Sequence, residues 1–127
     1  MTARQSFSSG QTFTAAQANA LAESTIAVNA QGTATSYTLA LTDAGKLITF
    51  TGAAATVTIP TNLSVAFAVG DQINIAQLGT AQVTIGTASG VTLVSTGSKT
   101  KTNGQYAVAT VVQYTANSWL LLGNISS

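Results

Sequence analysis

The chain reads as a mainly β protein, an antiparallel β-sandwich or barrel of about eight strands, preceded by a short helix and an extended arm. Three observations support this. Large residues fall on every second position in short runs, as in Tyr37-Thr-Leu39-Ala-Leu41, Ile48 with Phe50, and Val57 with Ile59. A period of two lines one face of a sheet. Turn residues such as Asp43-Ala-Gly45, Gly52 and Asn103-Gly104 separate these runs. No helical pattern alternates with the strands, which excludes a doubly wound α/β fold.

Composition narrows the class further. At 127 residues the chain fits one domain with a modest core, and 46% of its residues are hydrophobic. Only 6% are charged, against roughly 25% in an average soluble domain. Thr, Ser, Ala, Gly, Gln and Asn take the place of the charges. So little charge gives weak protection against self-association, which favours a surface partly covered by further copies or by a larger assembly.

The first dozen residues are polar, with Phe7 and Phe13 as isolated apolar points. Thr14-Ala-Ala-Gln17 has the form of a capping box, and Ala15 to Glu23 is made of good helix formers. Leu21 is the one large apolar residue of that helix. It docks either on its own β domain or, as an anchor or oligomerisation segment, on a neighbouring subunit. Ser24 to Ser36 reads as an extended connector carrying Ile26 and Val28, with room for one short strand. The organisation is thus an arm over residues 1–36 and a β body over 37–127. Phe7, Phe13, Leu21, Ile26 and Val28 are the candidate assembly contacts.

The body opens with the three alternations between Tyr37 and Pro60. Leu63, Val65, Phe67 and Val69 then alternate within an irregular loop, read as a plug on the end of a sandwich or as a partner contact. Gln72-Ile-Asn-Ile75, Gln82-Val-Thr-Ile85 and Val91-Thr-Leu-Val94 are further strands, and Asn103-Gly104 signals a hairpin. Tyr106 to Tyr114 is the longest strand candidate, and Thr115 to Ser118 turns it into Trp119-Leu-Leu-Leu122. Val-Thr-Ile recurs at Val57 and Val83, but the spacing is irregular. That weakens both a β-solenoid and an ice-binding reading of Thr56-x-Thr58.

Machinery for chemistry is sparse. With no His and no Cys, a Ser–His–Asp or Cys–His arrangement and the usual zinc sites are excluded, and no disulfide framework exists. Asp43 and Asp71 could in principle form a glycosidase pair, but each stands beside Gly in a turn, where Asp ordinarily bonds the local backbone. Gly97-Ser-Lys99-Thr100 lacks the earlier Gly of a phosphate loop, and nothing in the spacing suggests a calcium site. No catalytic residue, metal or cofactor is expected. A net charge of +1 with only Arg4, Lys46, Lys99 and Lys101 as cations argues against nucleic acid as the partner. No signal-peptide core precedes the body, and no apolar run is long enough to span a membrane. The sequons at Asn62 and Asn124 are therefore read as chance matches. Tyr114 and Trp119 form a candidate glycan platform, with a core position as the alternative for Trp119.

The order of several pieces resembles a β domain of tailed-bacteriophage virion proteins, found in head fibres, decoration proteins and tail-fibre-associated proteins. These pieces are Tyr37-Thr-Leu39, Asp43-Ala-Gly45-Lys46-Leu47, Val57-Thr-Ile59-Pro60, Phe67-x-Val69-Gly70, Ile73-x-Ile75-x-Gln77 and Gln82-Val-Thr-Ile85. They continue with Gly90-Val-Thr-Leu93, Gln105-Tyr106-Ala107, and Trp119 with Gly123. Phe13-Thr-Ala-Ala-Gln17-x-Asn19-x-Leu21 is similar to the opening of phage structural proteins. The resemblance implies a virion structural role, often as a homotrimer, with the N-terminal segment on the particle and the β body exposed. The partners it implies are the major capsid protein or another virion protein. Family fibres usually add a stalk and a receptor-binding tip, so a decoration, cement or head-fibre protein is the first expectation. A small tail or baseplate component, or an adhesion module for host glycans, is the second.

Overall fold

The computed structural model describes residues 26–127. The helix expected over residues 15–23, and Phe7, Phe13 and Leu21 with it, lie outside the described residues. The described residues include single 3-10 turns at Leu41–Asp43 and Thr96–Ser98 and eleven strands, in chain order β1 (Val28–Gly32), β2 (Ser36–Thr38), β3 (Leu47–Phe50), β4 (Ala55–Ile59), β5 (Gln72–Gln77), β6 (Val83–Thr87), β7 (Thr92–Val94), β8 (Lys101–Thr102), β9 (Val108–Thr115), β10 (Ser118–Gly123) and β11 (Ile125–Ser126). They form two sheets with one core between them. Sheet A runs β1-β3-β5-β9-β10-β7, and sheet B runs β11-β8-β6-β4-β2.

The sandwich expectation holds, but the sheets are mixed. Through β6 the chain alternates strictly between them: odd strands enter sheet A and even strands sheet B. Each strand therefore reaches its sheet neighbour only after a full circuit of the core, and it arrives running the same way. β1, β3 and β5 are parallel to one another, as are β2, β4 and β6. The usual helical crossover of a parallel pair is replaced by a strand of the opposite sheet. Three stacked coils result, so this half is a short two-sheet solenoid.

The irregular spacing that argued against such a coil has a local cause. The segment between Pro60 and Asp71 is inserted into one coil only, between β4 and β5. Around the insertion the register is regular, with Leu47 beside Asn74 and Val57 beside Ile85, while β1 meets β3 with one shift between Ala30 and Gly32.

The arcs at one end stack so closely that glycine is required. A Cβ on Gly79 would stand 2.6 Å from the Thr51 carbonyl oxygen, and one on Gly52 would stand 2.7 Å from Thr33 Cα. The Thr51 N–H donates to Gly32 O (2.8 Å) and the Leu78 N–H to Phe50 O (2.8 Å), tying each arc to the one before it.

The antiparallel part comes later in the chain. β9 pairs antiparallel with β5 and with β10, and β8 with β6 and β11. The Asn103-Gly104 segment crosses from sheet B to sheet A and makes no hairpin, because β8 and β9 belong to different sheets. Asp43-Ala-Gly45 is likewise a crossing, between β2 and β3. The connector expected over residues 24–36 contributes β1 to sheet A, so the body starts ahead of Tyr37. Pro60 ends β4, which has neighbours on both sides and is not an edge strand.

Inward positions carry the core. Ile48, Phe50, Ile73, Ile75, Ala109, Val111, Trp119 and Leu121 come from sheet A, and Ala55, Val57, Ile59, Val83 and Ile85 from sheet B. Phe67 closes one end, with its ring edge-on to Trp119 at a centroid distance of 5.3 Å.

Candidate functional site

Three groups of buried polar side chains among the described residues are held by local bonding. At the first coil, buried Asp43 accepts from the Tyr37 hydroxyl (2.5 Å), the Asn29 amide (2.9 Å) and the Ala40 N–H (2.8 Å). Burial raises the Tyr37 phenol above its ordinary value, and the bond to Asp43 and its charge raise it further, against a smaller lowering by Asn29. At the arc end, the Thr102 hydroxyl donates to the Gln77 side-chain oxygen (2.6 Å) and accepts from the Val83 N–H (2.9 Å). Under the inserted loop, the Gln113 amide, oriented to satisfy both of its ends, donates to Phe67 O (3.1 Å) and accepts from the Asn117 N–H (3.2 Å).

The acidic pair weighed in the sequence is thus two turn residues. Asp43 is enclosed, and Asp71 accepts from the Ala68 N–H (2.9 Å) inside its own turn. Among the described residues no group of His, Cys, Asp and Glu could hold a metal ion, and no helix is long and apolar enough to cross a membrane.

The inserted loop divides the alternation seen in the sequence. Val65 and Phe67 pack inward, while Leu63 is 97% exposed and Val69 is also exposed. Gly70, at φ +95°, makes the turn that seats Phe67, and its N–H donates to Gln113 O (2.7 Å). The loop is both a plug and an apolar tip.

Trp119 is wholly buried, so it serves the core and leaves the glycan platform. Its indole N–H has no hydrogen-bond partner, so the ring stands there for its volume and shape. Tyr114 is half-exposed at the end of β9. A third aromatic, Tyr106, expected to open the longest strand, lies ahead of β9 and is 72% exposed. It sits in the left-handed region at φ 70°, held by a bond from its N–H to Gln77 O (2.6 Å). A bulky side chain there is unusual, and no local sequence signal announces it. Ile26 and Val28, the assembly candidates within the described residues, are both exposed at the rim of sheet A.

The two outer faces differ. On sheet B, one row runs Ser36, Thr56, Thr84, Lys101 and Ser126, and the next runs Thr38, Thr58 and Gly86. On sheet A a polar stripe of Gln72, Asn74 and Thr110 runs across the middle. Beyond it β7, β9 and β10 present Val94, Val108, Val112, Leu120 and Leu122 outward. Leu120 and Leu122 are 42% and 44% exposed. The signal for this patch lies in the runs Val108-Ala-Thr-Val-Val and Trp119-Leu-Leu-Leu122, which are apolar on both faces. A strand covered on one side alone reads as alternation, and one covered on both sides reads as a continuous apolar run.

No protein-family model matches the chain, and no curated protein matches it.

Proposed function

We propose that the chain is a non-enzymatic structural protein of a bacteriophage particle, a capsid decoration, cement or head-fibre protein held by its N-terminal arm. The observation that carries this reading is the order of pieces from Tyr37 to Gly123, and several of them have a place in the fold. Gly70 seats Phe67, Asp43 closes the first coil, and Trp119 fills the core. The charge-poor surface supports it too, because an uncharged exterior suits a subunit of an assembly. In this reading the partner is the major capsid protein or another virion protein, the protein forms a homo-oligomer with a trimer favoured, and the body faces outward on the particle.

The test is co-sedimentation with purified particles of the full chain and of a chain beginning at Ile26, which keeps β1 and the Asn29 bond to Asp43. The full chain is expected to sediment with particles, and the shortened chain to stay folded and free. Equal binding by both would overturn the arm's role.

The exposure of Tyr106 and Tyr114 favours a second reading, a small tail or baseplate component whose aromatics contact host glycans. Tyr106→Ala and Tyr114→Ala would then lose glycan binding while the buried Trp119 still reports a folded core.

A further inference from the structure

We propose that Asn103-Gly104 is a self-modification site, at which the folded chain converts its own asparagine to aspartate and isoaspartate. The reaction is a property of the β body and is independent of what the chain assembles with. Asn19 and Asn29 precede Ala, Asn62 precedes Leu, Asn74 and Asn124 precede Ile, and Asn117 precedes Ser; only Asn103 precedes Gly. That neighbour matters because the backbone nitrogen of the next residue attacks the asparagine Cγ, and a side chain on that residue stands in the way.

The fold leaves both reacting groups available. Asn103 is exposed, and among the described residues neither its side chain nor the Gly104 N–H has a hydrogen-bond partner. A Cβ built on Gly104 would meet nothing within 4 Å, so the space around the attacking residue is open. Restraint falls on either side of this joint. Before it, the buried Thr102 hydroxyl donates to the Gln77 side chain (2.6 Å) and the Asn103 N–H to Asn124 O (3.0 Å). After it, the Gln105 side chain donates to Leu78 O (3.1 Å), and the Tyr106 N–H to Gln77 O (2.6 Å). The crossing from sheet B to sheet A is thus pinned at both ends around one unpinned N–H. Holding nucleophile and target on one short stretch makes the attack intramolecular. Asn117 is placed differently. Its Oδ1 accepts from the Asn62 N–H (2.8 Å), and the next residue, Ser118, already belongs to β10.

In the step itself the Gly104 nitrogen gives its proton to base and bonds to Asn103 Cγ. The Cγ–Nδ2 bond breaks, ammonia leaves, and a five-membered imide closes. One water molecule then opens the ring at either carbonyl. Amide and water become carboxylic acid and ammonia, with no oxidant or reductant. The new carboxylate stands two residues from Lys101 and takes the net charge from +1 to 0. In the isoaspartate product the main chain also gains one carbon, between the restraints at Thr102 and Gln105.

The full chain would be incubated at mildly alkaline pH, native and in urea. Peptide mass spectrometry locates the acid, and enzymatic methylation identifies isoaspartate. Asn103 is expected to react first in the native chain, at a rate comparable to that in urea and rising with pH. Gly104→Ala should slow the reaction roughly tenfold, equal to about 1.4 kcal/mol in barrier. Asn103→Gln, whose attack closes a slower six-membered ring, should slow it likewise and serves should Gly104→Ala fold poorly. A native chain that stays unmodified while the chain in urea reacts would overturn the proposal. So would earlier reaction at Asn117, or a Gly104→Ala chain reacting at the parent's rate, which would mean direct hydrolysis without ring closure.

Discussion

The two outer faces of the sandwich are made from the same few residue types and end up as opposites. Sheet B shows Ser36, Thr38, Thr56, Thr58 and Thr84, spaced by β-branched and aromatic residues that point into the core. Sheet A shows Val94, Val112, Leu120 and Leu122 over a core layer just as apolar. Both faces are almost free of charge. The difference is that a hydroxyl keeps its bonds to water at little cost, whereas an exposed leucine does not. Low charge alone therefore does not identify a contact surface, and what separates the two faces is apolar character on both sides of one strand.

One core lies under both faces, so the strongest way to break the comparison is to remove that core. Trp119→Ala deletes the largest fully buried side chain and the edge contact with Phe67. We expect a loss of about 3–5 kcal/mol in a urea titration. A variant of unchanged stability would contradict the core assignment. Because the indole N–H is unpaired, Trp119→Phe should cost clearly less.

Next comes the coil that supports the hydroxyl face. Gly79→Ala drives a methyl against the Thr51 carbonyl and should cost roughly 1–3 kcal/mol by the same titration. Gly104→Ala, where a Cβ meets nothing within 4 Å, serves as its near-neutral control.

Alkali should act on the first coil through Tyr37. Its phenol titrates above the ordinary value near 10 in the folded chain, so the native state holds that proton longer than the unfolded state does. The stabilisation is complete below the ordinary tyrosine range and is lost as pH rises through the higher native value. Unfolding midpoints measured above pH 10 should therefore fall less steeply in Tyr37→Phe than in the parent chain. Parallel curves would contradict the raised phenol of Tyr37.

The smallest effect sharpens the contrast directly. Thr56→Lys on the sheet B face should change stability by no more than about 0.5 kcal/mol and leave the native mass unaltered.

How much of this was legible in the sequence depended on which contacts were local. The alternations in Tyr37–Leu41, Val57–Ile59 and Ile73–Ile75 reported the inward face correctly, because a period of two is a property of one strand. The hairpin from β9 to β10 was also readable, since Thr115 to Ser118 joins two strands of one sheet. Strand direction was not readable. Whether the chain folds back or crosses the core after Phe50 depends on which sheet receives Ala55, and no residue at the turn records that choice. Asn103-Gly104 looked like a hairpin for the same reason. The solenoid half was hidden by the insertion between Pro60 and Asp71, which breaks the period in sequence without disturbing the register in space. For the candidate site, the burial of Trp119 followed from its alternation with Leu121. The outer apolar rows are in plain view as the continuous runs at Val108–Val112 and Trp119–Leu122.

The most direct measurement is the native mass of the unmodified chain across a dilution series. The account predicts a multiple of the protomer at high concentration that falls to a protomer on dilution. A chain that is monomeric at every concentration would contradict the proposed homo-oligomer.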